Sequence, residues 1–156
     1  QAVMVTGSGF AHSVEHAGMS FVPLTGVADF DERDPRTFTP DIDNLTGLAL
    51  SRHQVLGTFV NPIPHQARAL ARAMDEAGQV DVVLADATFA GVVPLLNRPA
   101  ATRPRVVGLG TLPLAQSSAD VPPYNSGMAM KTGALARARN RTANQMVQRV
   151  LFRSVQ

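Results

Sequence analysis

The stretch VDVVLA, Val80 to Ala85, with Asp86 immediately at its end, decides the fold. It is a nearly continuous aliphatic run. Such a run suits a strand covered on both faces within a parallel sheet. Upstream, Asn61-Pro62 reads as a helix start, because Asn can cap free N–H groups and Pro lacks a donor that would go unpaired there. Ile63, Ala67, Leu70, Ala71 and Met74 then recur at helical spacing, and Gly78 closes the helix. Downstream, Phe89 to Leu96 reads as a short helix with Asn97-Arg98-Pro99 as its exit. RVVGL, Arg105 to Leu109, is a second buried strand ended by Gly110.

Further out the alternation continues. AVMVT (Ala2 to Thr6) reads as a strand ended by Gly7-Ser8-Gly9. Phe10, Val14 and Ala17 follow at helical spacing, with Gly18 as the stop. SFVPL (Ser20 to Leu24) is another short strand. Gly26 to Asn44 and Thr111 to Gly133 read as long loops. Leu45 to Thr58 reads as a helix, and so does Ala134 to Phe152, with Leu135, Ala138, Met146, Val147, Val150 and Leu151 along one side. Strands alternating with helices imply an α/β fold, an open and mainly parallel sheet with helices on both faces. The 156 residues fit a single domain.

Composition narrows the classes. The apolar fraction of 45% is that of a globular chain, and its core must be aliphatic because only 5% of residues are aromatic. With no cysteine, disulfide stapling and thiolate metal sites are excluded. No apolar run approaches the roughly 20 residues that cross a bilayer. A cytoplasmic protein with no membrane partner is the expectation. Lys131 to Arg153 holds six cations and no acid, but no aromatic platform accompanies them, so the segment reads as a basic surface helix and no nucleic-acid partner is expected.

Ligands of open parallel sheets bind beyond the carboxyl ends of the strands. Gly7 to Phe10, Asp86 to Phe89 and Gly110 to Leu114 all fall there. Asp86, at the end of a buried strand, can orient and charge-stabilise a histidine acting as general base. It can equally cap the following turn through the Thr88 or Phe89 N–H. Gly7-Ser8-Gly9 would begin a dinucleotide fingerprint, but His12 stands where the third glycine belongs, so tight-turn glycines fit better. His12 and His16 lie one helical turn apart without an evident third ligand, so no metal is expected. His53 follows the first long loop and could border a cleft.

Three stretches carry a family resemblance: VMVTGSGFAHSVEHAGMSFVPL (Val3 to Leu24), DVVLADATFAGVVPLLNRP (Asp81 to Pro99) and VVGLGTLPLAQSSADVPPYNSGM (Val107 to Met128). In order and spacing they resemble the amino-terminal, acceptor-binding domain of macrolide-type glycosyltransferases of actinobacterial kind, within the wider UDP-glycosyltransferase family of GT-B architecture. The resemblance implies sugar transfer, with inversion, from a nucleotide-sugar to a hydroxyl of a small natural product. Asp86 matches the aspartate that orients the catalytic histidine. Phe59, Thr88, Phe89, Thr111 and Leu112 fall in segments resembling acceptor-pocket walls.

The family's first strand, the histidine after it and the carboxy-terminal donor domain have no counterpart in these 156 residues. The expectation is therefore a fragment that is inactive alone and has no bound cofactor, the nucleotide-sugar belonging to the other domain. Where the first strand would lie, an unpaired sheet edge is expected to be filled by a second copy of the chain or by a segment outside these residues; otherwise the remaining strands close up into a smaller sheet. The alternative is a non-catalytic α/β ligand-binding or interaction module.

Overall fold

The structure is a computed structural model in which residues 2–31, 33–111, 117–123 and 126–151 are described. The chain divides into two compact units, Gln1–Thr111 and Leu112–Gln156.

The first unit has four short strands: β1 (Val3–Thr6), β2 (Ser20–Pro23), β3 (Val82–Asp86) and β4 (Arg105–Leu109). The α/β class and the parallel direction are those the sequence implies. The sheet, however, is in two pieces. β1 pairs with β2, β3 pairs with β4, both in parallel, and no ladder joins the pairs among the described residues. Hydrogen bonds from Ser20 N–H to Ala2 O and from Leu24 N–H to Thr6 O put the even residues of β1 on the β2 ladder. By the alternation of a parallel ladder, the N–H and C=O of Val3 and Val5 then point to the other edge. The Arg105 N–H to Asp81 O bond likewise leaves Val82 and Leu84 to the outer edge of β3.

β1 runs through a short 3-10 turn (Ser8–Phe10) into α1 (Ala11–His16), which ends at Gly18 with φ 73°. The long loop 26–44 is folded into three 3-10 turns. α2 (Gly47–Val55) falls within the helix expected over Leu45 to Thr58. It widens into a π-helical turn, Leu56–Val60, closed by Asn61 N–H to Leu56 O at 2.8 Å. The chain therefore stays helical through Asn61 and Pro62, and Asn61 is no cap. α3 (Ile63–Ala77) carries no side-chain cap bond, while Gly78 closes it at φ 73°.

α3 buries Gln66, Ala69, Leu70 and Ala73, a stripe that leaves Ala71 exposed and is turned slightly from the expected face. It packs on both strand pairs. Leu70 joins Ala85, Val92 and Leu95 in one aliphatic cluster, and Ala69 joins Leu24 and Ala28 in another. Phe89 packs against both. Each fully buried Leu or Val contributes roughly 1.5–3 kcal/mol. Val92 and Leu95 come from the short segment after β3, a 3-10 turn followed by α4 (Val93–Leu96).

The expectation that β3 is covered on both faces does not hold. Val83 and Ala85 point into the core, but Leu84 is 63% exposed, and Val82, Val107 and Leu109 are also exposed. The register sets Leu84 beside Val107 and Asp86 beside Leu109, so these residues share the open face.

The second unit is built on α5 (Ala134–Leu151). Its inward stripe is not the apolar row that periodicity suggests. Leu135 is 89% exposed and Met146 is exposed too, whereas Ala136, Asn140 and Asn144 are buried. The Asn140 amide donates to Ala119 O at 3.2 Å. The Asn144 amide donates to Ser118 O at 2.9 Å and Val121 O at 3.2 Å. Polar loop carbonyls, not a greasy surface, hold this helix face. No helix among the described residues is long and apolar enough to cross a membrane.

Candidate functional site

β3 ends on Asp86, and the chain then turns sharply because Phe89 N–H bonds back to Asp86 O at 2.9 Å. This turn points the next residues toward the carboxylate. Asp86 Oδ1 accepts the Thr88 N–H at 2.8 Å and the Thr88 hydroxyl at 2.6 Å. Its Oδ2 accepts the hydroxyl of Thr111, which follows the neighbouring strand β4. The carboxylate therefore ties together the tips of two adjacent parallel strands.

These donors stabilise the charged form. The Thr111 hydroxyl, then the hydroxyl and N–H of Thr88, hold the Asp86 carboxyl below its ordinary pKa, against partial burial, which pushes it up; the Ala87 N–H adds a smaller lowering contribution. Asp86 is thus a carboxylate over the whole neutral range, an acceptor and not an acid.

A second carboxylate marks the tip of β1. Asp29 Oδ1 accepts the Ser8 N–H at 2.7 Å, beside Gly7. The sequence reading passed over Asp29 because it lies in a loop of many acids; only pairing with the glycine turn distinguishes it. The Gly7-Ser8-Gly9 turn is therefore closed by an internal carboxylate at Ser8, which agrees with tight-turn glycines.

Of the other expected site residues, Thr88 and Thr111 meet at Asp86, as described. Phe89 is half-buried between the two aliphatic clusters. Phe59 lies in the π-helical turn, 40% exposed. Leu112 lies outside the described residues. Among the described residues no hydrogen bond joins a histidine to Asp86, whose carboxylate accepts from Thr88 and Thr111. His12 and His16 stack on each other, ring centroids 6.1 Å apart, and no metal-binding group of three ligands occurs among the described residues. His65 packs against Gly26, where a Cβ would meet its ring at 2.5 Å. His53 is half-buried.

The second unit has a hollow of about 380 Å³ lined by Asp120, Lys131, Thr132, Gly133, Ala134 and Arg137. Arg137 and Asp120 pair across it at 3.1 Å. That pair cancels, and the ammonium of Lys131 leaves the lining with a net positive charge.

Comparison with known proteins adds the remaining observation. The chain is 30% identical to UDP-glycosyltransferase 2 of Phaeomoniella chlamydospora over 150 residues, 94% of this chain and 33% of that protein. It is 33% identical to UDP-glucosyltransferase B1 of Starmerella bombicola over 118 residues, 72% of this chain and 27% of that one. UDP-glucosyltransferase A1 of the same organism is 30% identical over 119 residues, 73% and 26%. The chain thus spans about a third or less of the length of the curated relatives it matches. These relatives are fungal UDP-glycosyltransferases. No protein-family model matches the chain, and no solved structure matches it.

Proposed function

We propose that the chain is the acceptor-binding part of an inverting, two-domain GT-B glycosyltransferase that moves a sugar from a nucleotide-sugar to a hydroxyl of a small natural product. The observation that carries this reading is the ionised Asp86 at the tip of a parallel strand, in a chain whose relatives are UDP-glycosyltransferases. Asp86 serves to orient a histidine base and to stabilise the imidazolium formed when that base takes the acceptor's hydroxyl proton. The freed oxygen attacks the anomeric carbon as the bond to the leaving nucleotide breaks. The base itself comes from outside the residues bonded to Asp86, and the nucleotide-sugar sits on a further domain. On this reading the chain alone does not turn over, needs no cofactor and works in the cytoplasm.

Phe59, Thr88, Phe89 and Thr111 of the first unit are each proposed to contact the acceptor, and so is Leu112. The free edges of β1 and β3 are proposed to pair with a second copy of the chain, since strand edges with unpaired N–H and C=O groups recruit strands.

The test is ligand binding followed by amide chemical shifts. A phenolic or polyketide alcohol is expected to perturb residues 86–89 and 111, while UDP-glucose leaves the chain unchanged. Binding of the nucleotide-sugar without any response to the alcohols overturns the reading.

A further inference from the structure

We propose that Thr88 and Thr111 are positioning residues that act through Asp86, and that their hydroxyls are not available as donors to an acceptor molecule. This rests on the reading of Asp86 as the site carboxylate and deepens it.

A threonine hydroxyl has one proton. In Thr88 that proton goes to Asp86 Oδ1 at 2.6 Å, and in Thr111 it goes to Asp86 Oδ2. Both side chains therefore present only a methyl group and oxygen lone pairs to anything entering the site. They shape the wall but cannot donate to a ligand without releasing the carboxylate.

The same bonds fix what Asp86 can do. Oδ1 already takes two donors, the Thr88 N–H and hydroxyl, which uses both of its lone pairs. Among the described residues Oδ2 takes the Thr111 hydroxyl alone, which leaves one of its lone pairs open. The carboxylate is held from both sides, so it cannot rotate to exchange the two oxygens without breaking three hydrogen bonds. A ligand or base must therefore approach Oδ2 with a single N–H or O–H donor. A second anion is rejected there by charge.

Thr111 is the more telling partner because it belongs to a different strand. The turn after β3 supplies Thr88 locally, as many Asx turns do. The bond from Thr111 spans 25 residues and makes the aim of Oδ2 depend on the register of β4 against β3.

The test needs no turnover. The side-chain carboxyl carbon of Asp86 is followed by NMR against pH in the 13C-labelled chain. In the native chain its midpoint is expected below the ordinary aspartate value. Thr111→Val removes the donor with little change in shape, and the Asp86 midpoint is expected to rise. Thr111→Ser restores the hydroxyl and is expected to return the midpoint to its native place. Thr88→Ala, which keeps the backbone donor, is expected to raise it as well, and it reports on the clamp should Thr111→Val not fold. An Asp86 midpoint unchanged by Thr111→Val, or by Thr88→Ala, overturns the proposal. Failure of the glycosyltransferase reading looks different: alcohols fail to bind while the titration still responds to the two threonines.

Discussion

The side-chain oxygen of Gln66, buried on α3, accepts the backbone N–H of Gly91 at 2.8 Å. This bond locks the helix that underlies both strand pairs to the segment following β3, and it leaves no room at Gly91. A Cβ there would lie 2.3 Å from Gln66 Cβ and 2.7 Å from the Gln66 carbonyl carbon.

Gly91→Ala is therefore expected to destabilise the first unit by about 1–3 kcal/mol, the usual range for overpacking. Gln66→Leu is expected to cost about 1–3 kcal/mol by leaving the Gly91 N–H buried without a partner. Urea denaturation of the two variants checks both, and native-like stability of Gly91→Ala refutes the contact.

Acid should weaken the unit through Asp86. Its folded pKa lies below its unfolded value, because Thr111 and Thr88 donate to the charged form. A depressed folded pKa gives stability that is complete above the unfolded pKa of roughly 3.9 and is lost as pH falls through the lower folded value. Asp86→Asn is expected to flatten that part of the curve when thermal melts are compared between pH 6 and pH 3.

In the second unit, Asn144 makes α5 adhere to the loop at residues 118–121 by donating to Ser118 O and Val121 O. Asn144→Ala is expected to strand these carbonyls and cost about 1–3 kcal/mol. Met146→Ala, an exposed position on the same helix, is expected to stay within about 0.5 kcal/mol of the native chain. Hydrogen exchange along α5 distinguishes the two.

Self-pairing at the open edges is expected to give a dimer by light scattering. Val3→Pro removes an N–H that points away from β2, so the β1–β2 ladder survives while the free edge loses a donor. A shift of that variant toward monomer is the expected outcome, and a native chain that is monomeric at all concentrations refutes the pairing.

Much of the backbone was legible because local signals settle it. β4 occupies Arg105–Leu109, the span the RVVGL run marks, and Gly78 and Gly18 end their helices at φ 73°. Asn61 misled because capping depends on a preceding break, and the π-helical turn supplies none. The break between the two strand pairs had no local signal, since pairing is decided by residues far apart in sequence; the family resemblance, with its missing strand, is what implied an unpaired edge. The inward face of α5 was not legible either: Asn140 and Asn144 are buried by carbonyls of a distant loop while Leu135 stays in water. The place of Asp86 at a strand tip was legible from the aliphatic run before it. The engagement of the Thr88 and Thr111 hydroxyls was not, because two threonines 23 positions apart carry no spacing signal.

Phe89 touches both aliphatic clusters and stands three positions beyond Asp86. Anyone seeking to widen or redirect ligand preference would naturally randomise residues 87 to 90. Truncating the ring at 89 is expected to loosen both clusters at once, whereas changes at the exposed Ala87 leave that packing in place. The ring thus sets a limit on how far selection can retune this corner of the molecule.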